Sequence, residues 1–246
     1  MKNLKLTIVY NGSRFFGWQK QEGFRTVQGE LERAIFDLTG QEVTVEGSGR
    51  TDKGVHALGQ IASVCFDCKI PLKNFKRAIN NLLPEDVFVK KVELVPMDFH
   101  ARFSAKKKTY RYVVQVAGER PTILNELRAF YAYDVDLKKM QDCAQILIGK
   151  HNFKGFCSSG TQVQNFEREI FDISIKKKGK VFSFEVTGSG FLYNMVRIIV
   201  GTLLEVGRSK LSLNDVKIAL EQAERKHAGV VMPACGLYLK CVNYQD

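Results

Sequence analysis

Between Gly49 and Gly54 the sequence sets one carboxylate between two cations: Gly49-Arg50-Thr51-Asp52-Lys53-Gly54. Glycines at both ends let the backbone of such a loop come close to a ligand. Arg50 and Lys53 favour an ionised Asp52, the state a nucleophile or a base requires. The same residues also make an ordinary charged turn, because Asp-Lys-Gly is common turn chemistry. From composition alone the turn is the simpler reading.

Other candidate chemistry falls away on spacing. Gly47-Ser48-Gly49 is not followed by Gly-Lys-Ser/Thr and does not open a helix, so it is no phosphate loop. Gly188-Ser189-Gly190-Phe191 lacks the third glycine of a dinucleotide fingerprint. Cys65 and Cys68 form one CxxC pair, but a structural zinc site needs a second pair, and Cys235 and Cys241 are distant and differently spaced. The expectation is buried, reduced thiols and no metal. His56 reads as a packing or hydrogen-bonding residue. His100, His151 and His227 have no partner in the sequence that would give them a role.

Lys and Arg number 37 against 26 Asp and Glu, a net charge of +11. That surplus points to a polyanion, nucleic acid before an anionic membrane surface. With 45% hydrophobic and 26% charged residues the chain is globular in composition, which excludes disorder and a fibrous fold. No run reaches the ~18–20 apolar residues of a membrane span. Met1–Tyr10 reads as an amphipathic strand rather than a signal peptide. The expected location is therefore cytoplasmic, where cysteines stay reduced.

The elements that must position these residues follow from periodicity. Leu4–Tyr10 alternates as a strand, and Asn11-Gly12-Ser13 turns. Thr26 caps a helix with Val27, Leu31, Ala34, Ile35 and Leu38 on one face, stopped by Gly40. Val43–Glu46 and Leu58–Phe66 read as strands. Pro71 opens a second helix with Leu72, Phe75, Ile79 and Leu82 inward, and Pro84 closes it. Val87–Val95 is a strand. The order β-α-β-β-α-β is ferredoxin-like.

The second half repeats it. Tyr110–Val116 is a strand, and Asp136 caps a helix with Leu137, Met140, Ala144, Leu147 and Ile148 inward, ended by Gly149. Glu169–Lys176, with Phe171, Ile173 and Ile175 on one face, pairs through Lys178-Gly179 with Val181–Thr187. Leu192, Met195, Val196, Ile199 and Leu203 make a helical stripe. Ser212 with Asp215 is a capping box for a further helix through Glu224. Leu237–Val242 closes the chain. The expected class is α+β: two tandem ferredoxin-like halves, 1–105 and 106–246, with a mostly antiparallel sheet.

The stretch Gly49-Arg50-Thr51-Asp52-Lys53-Gly54-Val55-His56-Ala57-Leu58-Gly59-Gln60 resembles the active-site signature of the TruA family, the tRNA pseudouridine(38–40) synthases. The resemblance runs along most of the chain. Tyr10-Asn11-Gly12 with Phe16-Gly17-Trp18-Gln19 resembles the family's first segment, and Thr26-Val27-Gln28-Gly29 the start of its first helix. Phe99–Phe103 with Lys108-Thr109-Tyr110-Arg111-Tyr112 resembles its second motif, Gly190–Arg197 its third, and Pro233–Leu237 the approach to its last strand. Asn11 and Asn152 stand where the family usually has Asp.

The resemblance implies a pseudouridine-synthase fold with an active-site cleft, a tRNA substrate, a homodimer, and no cofactor. It makes Asp52 the catalytic carboxylate and pairs it with Arg197. It stacks Tyr110 on the target uracil and has Arg50 hold the flipped base out of the stem. Lys53 and the run Lys106, Lys107 and Lys108 become candidate phosphate contacts, as does Lys176-Lys177-Lys178 with Lys180. A non-catalytic RNA-recognition module shares the element order, but Lys154-Gly155-Phe156 is followed by Cys157-Ser158-Ser159-Gly160, which breaks its aromatic signature. A two-carboxylate hydrolase needs a second acid between Gly47 and Gln60, and none is there.

Overall fold

The computed structural model describes residues 1–160 and 163–245. The chain divides into two compact units: Met1–Lys106 with Tyr238–Asp246, and Lys107–Leu237. The segment from Tyr238, placed by the sequence reading in the second half, thus clusters with the first.

In the first unit, β1 (Lys2–Tyr10) pairs antiparallel with both β3 (His56–Phe66) and β4 (Val87–Val95). Short β2 (Glu46–Gly47) runs antiparallel on β3, and β10 (Leu237–Asn243) pairs parallel with β3, Tyr238 opposite His56. The order β4-β1-β3-β2 is the ferredoxin-like one. Helices α1 (Val27–Thr39) and α2 (Leu72–Leu82) connect these strands and pack on each other. The Thr26 Oγ1 accepts the Gly29 N–H, and Gly40 closes α1 in the left-handed region with its N–H on the Phe36 carbonyl.

Two expectations fail here for identifiable reasons. Val43–Glu46 is not a strand; only Glu46–Gly47 pairs. Buried Glu32 intercepts it: its Oε1 accepts the Val45 N–H at 3.1 Å, so that donor has no place in a ladder. Leu82, expected to face inward, is exposed, and its neighbour Leu83 is buried instead. Leu83 precedes Pro84, which drives it out of the helical region into extended backbone and swings its side chain inward.

In the second unit the strand order is β5-β9-β8-β7, antiparallel throughout: β5 (Lys107–Val116), β7 (Gly149–Asn152), β8 (Glu167–Lys178) and β9 (Val181–Gly188). Short β6 (Ala129–Tyr131) adds parallel to β5. Both β6 and β7 escaped the sequence reading. Phe171 was expected on the apolar face of β8 but is exposed, while Ile170 and Ile173 are buried. A bulge between Ile170 and Asp172 sets two steps of β8 against one of β9 and shifts the alternation.

Helices α3 (Leu137–Leu147), α4 (Met195–Gly207) and α5 (Leu213–Glu221) pack together. Asp136 caps α3 by accepting the Lys138 and Lys139 N–H groups, and Ser212 with Asp215 forms the expected capping box. Helix α5 ends at Glu221, and a 3-10 turn, Arg225–His227, follows. The surprise is α4. A one-sided stripe was expected, yet every residue except Arg197 is buried. Gly201 permits this on one side: a Cβ there would lie 2.0 Å from the Val230 carbonyl oxygen.

The fold is α+β with a mostly antiparallel sheet. Among the described residues no helix is long and apolar enough to cross a membrane. All six cysteines are free thiols; Cys68, Cys143 and Cys157 are buried as expected, but Cys235 and Cys241 are half-buried and Cys65 is exposed, on the strand face opposite Val64.

Candidate active site

The Asp52 loop leaves β2 and enters β3, and its base is latched before it reaches the acid. Ser48 donates its backbone N–H to the Ile61 carbonyl at 2.7 Å and its hydroxyl to Gln60 Oε1 at 2.6 Å. Gln60 Nε2 returns a hydrogen bond to the Gly49 carbonyl at 2.8 Å. Gln60 and Ser48 are both fully buried. A buried amide satisfied on both ends is costly to disturb, so it fixes where the loop starts.

The loop crown is held from β1 and the segment after it. Tyr10 Oη lies 2.8 Å from Thr51 Oγ1, and the Thr51 carbonyl accepts the Trp18 N–H at 3.0 Å. Burial pushes the Tyr10 phenol well above its ordinary pKa, so it stays neutral and available for that bond. Gly17 sits at φ +100°, and a Cβ there would lie 2.6 Å from the Thr51 carbonyl oxygen. Only glycine lets these two backbones touch.

Asp52 is the first residue of a turn closed by the Val55 N–H on its carbonyl at 3.1 Å. Gly54 occupies the third turn position at φ +79°, the place where a type II turn requires positive φ. The Asp52 side chain is half-buried, Arg50 is exposed, and Lys53 lies over the Phe16 ring at 4.9 Å. His56 is buried, accepts the Gly12 N–H on Nδ1 at 3.0 Å, and stacks on Tyr238 at 4.6 Å. An Nδ1 that accepts carries no proton, so this histidine holds the loop's exit and is the packing residue the sequence suggested.

The second unit carries the remaining candidates. Tyr110 on β5 is buried and meets Phe191 edge to face, centroids 5.1 Å apart. Arg197 lies in the first turn of α4 and is half-buried. Its Nη1 donates to Asn194 Oδ1 and its Nε to the Met232 carbonyl. Asn194 precedes the helix at φ +60°, and its Nδ2 donates to Ser158 Oγ at 3.0 Å. The guanidinium is thus aimed by two acceptors.

Arg50, Asp52 and Lys53 therefore share one loop of the first unit. Tyr110 and Arg197 belong to the second, tied through the Phe191–Arg197 segment. Lys106 is exposed, but Lys107 and Lys108 open β5 and are half-buried, Lys107 lying 5.5 Å over Phe171. The run is therefore only partly open to solvent. Lys176, Lys177, Lys178 and Lys180 are exposed. Asn194 and the Ser48–Gln60 latch went unassigned in the sequence reading. The available signal was an Asn interrupting the apolar stripe between Leu192 and Met195, a side chain that tolerates positive φ.

The model of the family described as "tRNA pseudouridine synthase" matches residues 7–104 and 143–245. The tRNA pseudouridine synthase A of Caldicellulosiruptor saccharolyticus is 44% identical, with 99% of this chain and 100% of that protein covered. That of Anoxybacillus flavithermus is 46% identical, with both chains covered in full. Among solved structures, an archaeal box H/ACA sRNP Nop10–Cbf5 complex matches at a TM-score of 0.38 and 12% identity, over 95% of this chain and 59% of that one. Relatives matched end to end, and a family model that spans the Asp52 loop as well as the Arg197 helix, place the chain in the tRNA pseudouridine synthase family, and hence among the isomerases.

Proposed function

We propose that this protein converts uridine to pseudouridine at positions 38, 39 and 40 of the tRNA anticodon stem-loop, with Asp52 as the catalytic carboxylate and no cofactor. The observation that carries this reading is the Asp52 turn. Its backbone is held by β1 through Thr51, by Gly17 and by the Ser48–Gln60 latch, and in sequence its acid lies between Arg50 and Lys53.

The reaction breaks the N1–C1′ glycosidic bond, turns the uracil and joins C5 to C1′. The C5 proton is lost and N1 gains one, so the product is an isomer and no electrons are transferred. An ionised Asp52 either adds to C6 of the base or supports its departure from C1′. Both routes need a charged oxygen shielded from water, and a buried carboxylate stays charged only with a partner. Arg197 supplies that partner in this reading, pre-aimed by Asn194 and Met232. Tyr110 stacks on the uracil. Arg50, exposed at the loop tip, takes the place of the flipped base, offsetting an unstacking cost of a few kcal/mol. The working form is a homodimer in the cytoplasm.

Asp52→Asn tests the reading. The amide is near-isosteric, so the turn persists and only the charge and the nucleophilic oxygen are lost. Tritium release from C5-labelled uridine in tRNA should fall to background, while a gel shift on the same preparation keeps tRNA affinity within about threefold, because binding is spread over many phosphates. Release at the normal rate would remove Asp52 from the chemistry.

A further inference from the structure

Phe16 and Phe24 stack at 4.0 Å between centroids with 21° between ring planes. Phe24 nevertheless keeps 51% of its surface exposed. An aromatic pair that served only to pack would be expected to sink into the core, since each ring has 150–250 Å² to bury. This one is held out rigidly. The Phe16 N–H donates to the Arg25 carbonyl at 2.8 Å, and the Phe24 N–H to the Gln21 carbonyl at 3.3 Å. Arg25, next to Phe24, is clamped by both Asp86 oxygens at 2.8 Å and by Glu30 at 2.8 Å.

The pair also adjoins the Asp52 loop. Phe16 precedes Gly17, whose α-carbon lies against the Thr51 carbonyl, and Lys53 reaches over the Phe16 ring. Exposed Arg14, Lys20, Arg50 and Lys53 outnumber exposed Glu22 along these segments. A greasy peptide would meet charge here, whereas a nucleotide offers a flat base for the ring and a phosphate for the cations.

We propose that Phe24, backed by Phe16 and flanked by Lys53, is a stacking ledge for an unpaired nucleobase of the substrate RNA, next to the target uridine and distinct from it. The ledge rests on the reading above only in taking RNA as the ligand. Rigid aromatic planes bind bases without sequence preference, so the ledge contributes affinity and orientation rather than chemistry.

Phe24→Leu and Phe24→Trp separate stacking from mere bulk. Leu keeps apolar volume without a π face, and tRNA affinity by gel shift should weaken about tenfold. Trp should match or exceed the parent. The melting temperature should stay unchanged for both, since the ring is half exposed. The Phe24→Trp variant also supplies its own probe: its emission should be quenched by tRNA, and by a short single-stranded RNA, beyond any change at buried Trp18 in the parent. Parent-like affinity in the Leu variant, equal weakening in both, or no added quenching in the Phe24→Trp variant would overturn the ledge. Quenching in a protein that releases no tritium would keep the ledge and sink the isomerase reading. Tritium release without quenching would do the reverse.

Discussion

At the scale of single residues, the Asp52 turn depends on atoms that are absent as much as on those present. Gly17→Ala adds a Cβ 2.6 Å from the Thr51 carbonyl oxygen at a φ of +100°. One of the two backbones must move, and the turn that carries Asp52 is the less buried. Turnover should drop at least tenfold and the melting temperature should fall, measured by tritium release and a thermal scan. Asn194 gives a sharper pair. Its backbone is left-handed and its amide holds Arg197 and Ser158. Asn194→Gly accepts the backbone freely but loses the amide, so stability should hold within about 1 kcal/mol while turnover falls. Asn194→Ala loses both, and the left-handed penalty of about 1–2 kcal/mol should lower stability as well. Equal activity in the parent and the Gly variant would show that Arg197 needs no aiming.

Elements are built here by short-range chemistry and then overruled locally by long-range contacts. Helix α5 shows the first. Ser212 Oγ accepts the Asp215 N–H, and Asp215 Oδ2 accepts the Ser212 N–H at 2.8 Å. Hydrogen bonds from Ser212 hold the Asp215 carboxyl below its usual range. Ser212→Ala should cost about 1 kcal/mol, seen as a fall of about 2–4 °C in melting temperature, with tritium release unchanged because α5 carries none of the proposed site. A larger loss of activity than of stability would tie α5 to the site. Glu32 shows the second effect, since one buried carboxylate on α1 removes a predicted strand.

For the molecule as a whole, charge and burial make two predictions. The +11 surplus should make tRNA binding electrostatic. Neutralising Lys106, Lys107 and Lys108 together should make the slope of log Kd against log salt shallower by about 2–3, if each meets a phosphate. An unchanged slope would return them to the sheet, where Lys107 already lies over Phe171. Burial acts at the alkaline end. The Cys143 thiol is pushed up to about 12, and the Tyr10, Tyr112, Tyr131 and Tyr244 phenols are raised too, all mainly by desolvation. Their folded pKa values lie above the unfolded ones. The stability they contribute is therefore full below about pH 8.5 and is lost as pH rises toward 12. The urea midpoint should be lower at pH 10.5 than at pH 8, and Cys143→Ala should narrow that difference.

The sequence by itself determined four helix caps and the loop that carries the acid. Thr26, Gly40, Asp136 and the Ser212–Asp215 box each act within four residues, and the structure keeps all of them. The Asp52 loop was legible for the same reason: two glycines, two cations and one acid lie within six positions. Only the tertiary structure decided what depends on atoms far apart in the chain. Val45 leaves the ladder for Glu32, Phe171 turns outward at a bulge set by β9, and Cys65 faces out of its strand. Helix α4 is buried all round because segments on several sides close over it, leaving Arg197 half-exposed, and no one-dimensional stripe encodes that. Periodicity records which face a residue takes when its element is regular and one-sided. It is blind to a partner that arrives from elsewhere and changes the register or the accessible side.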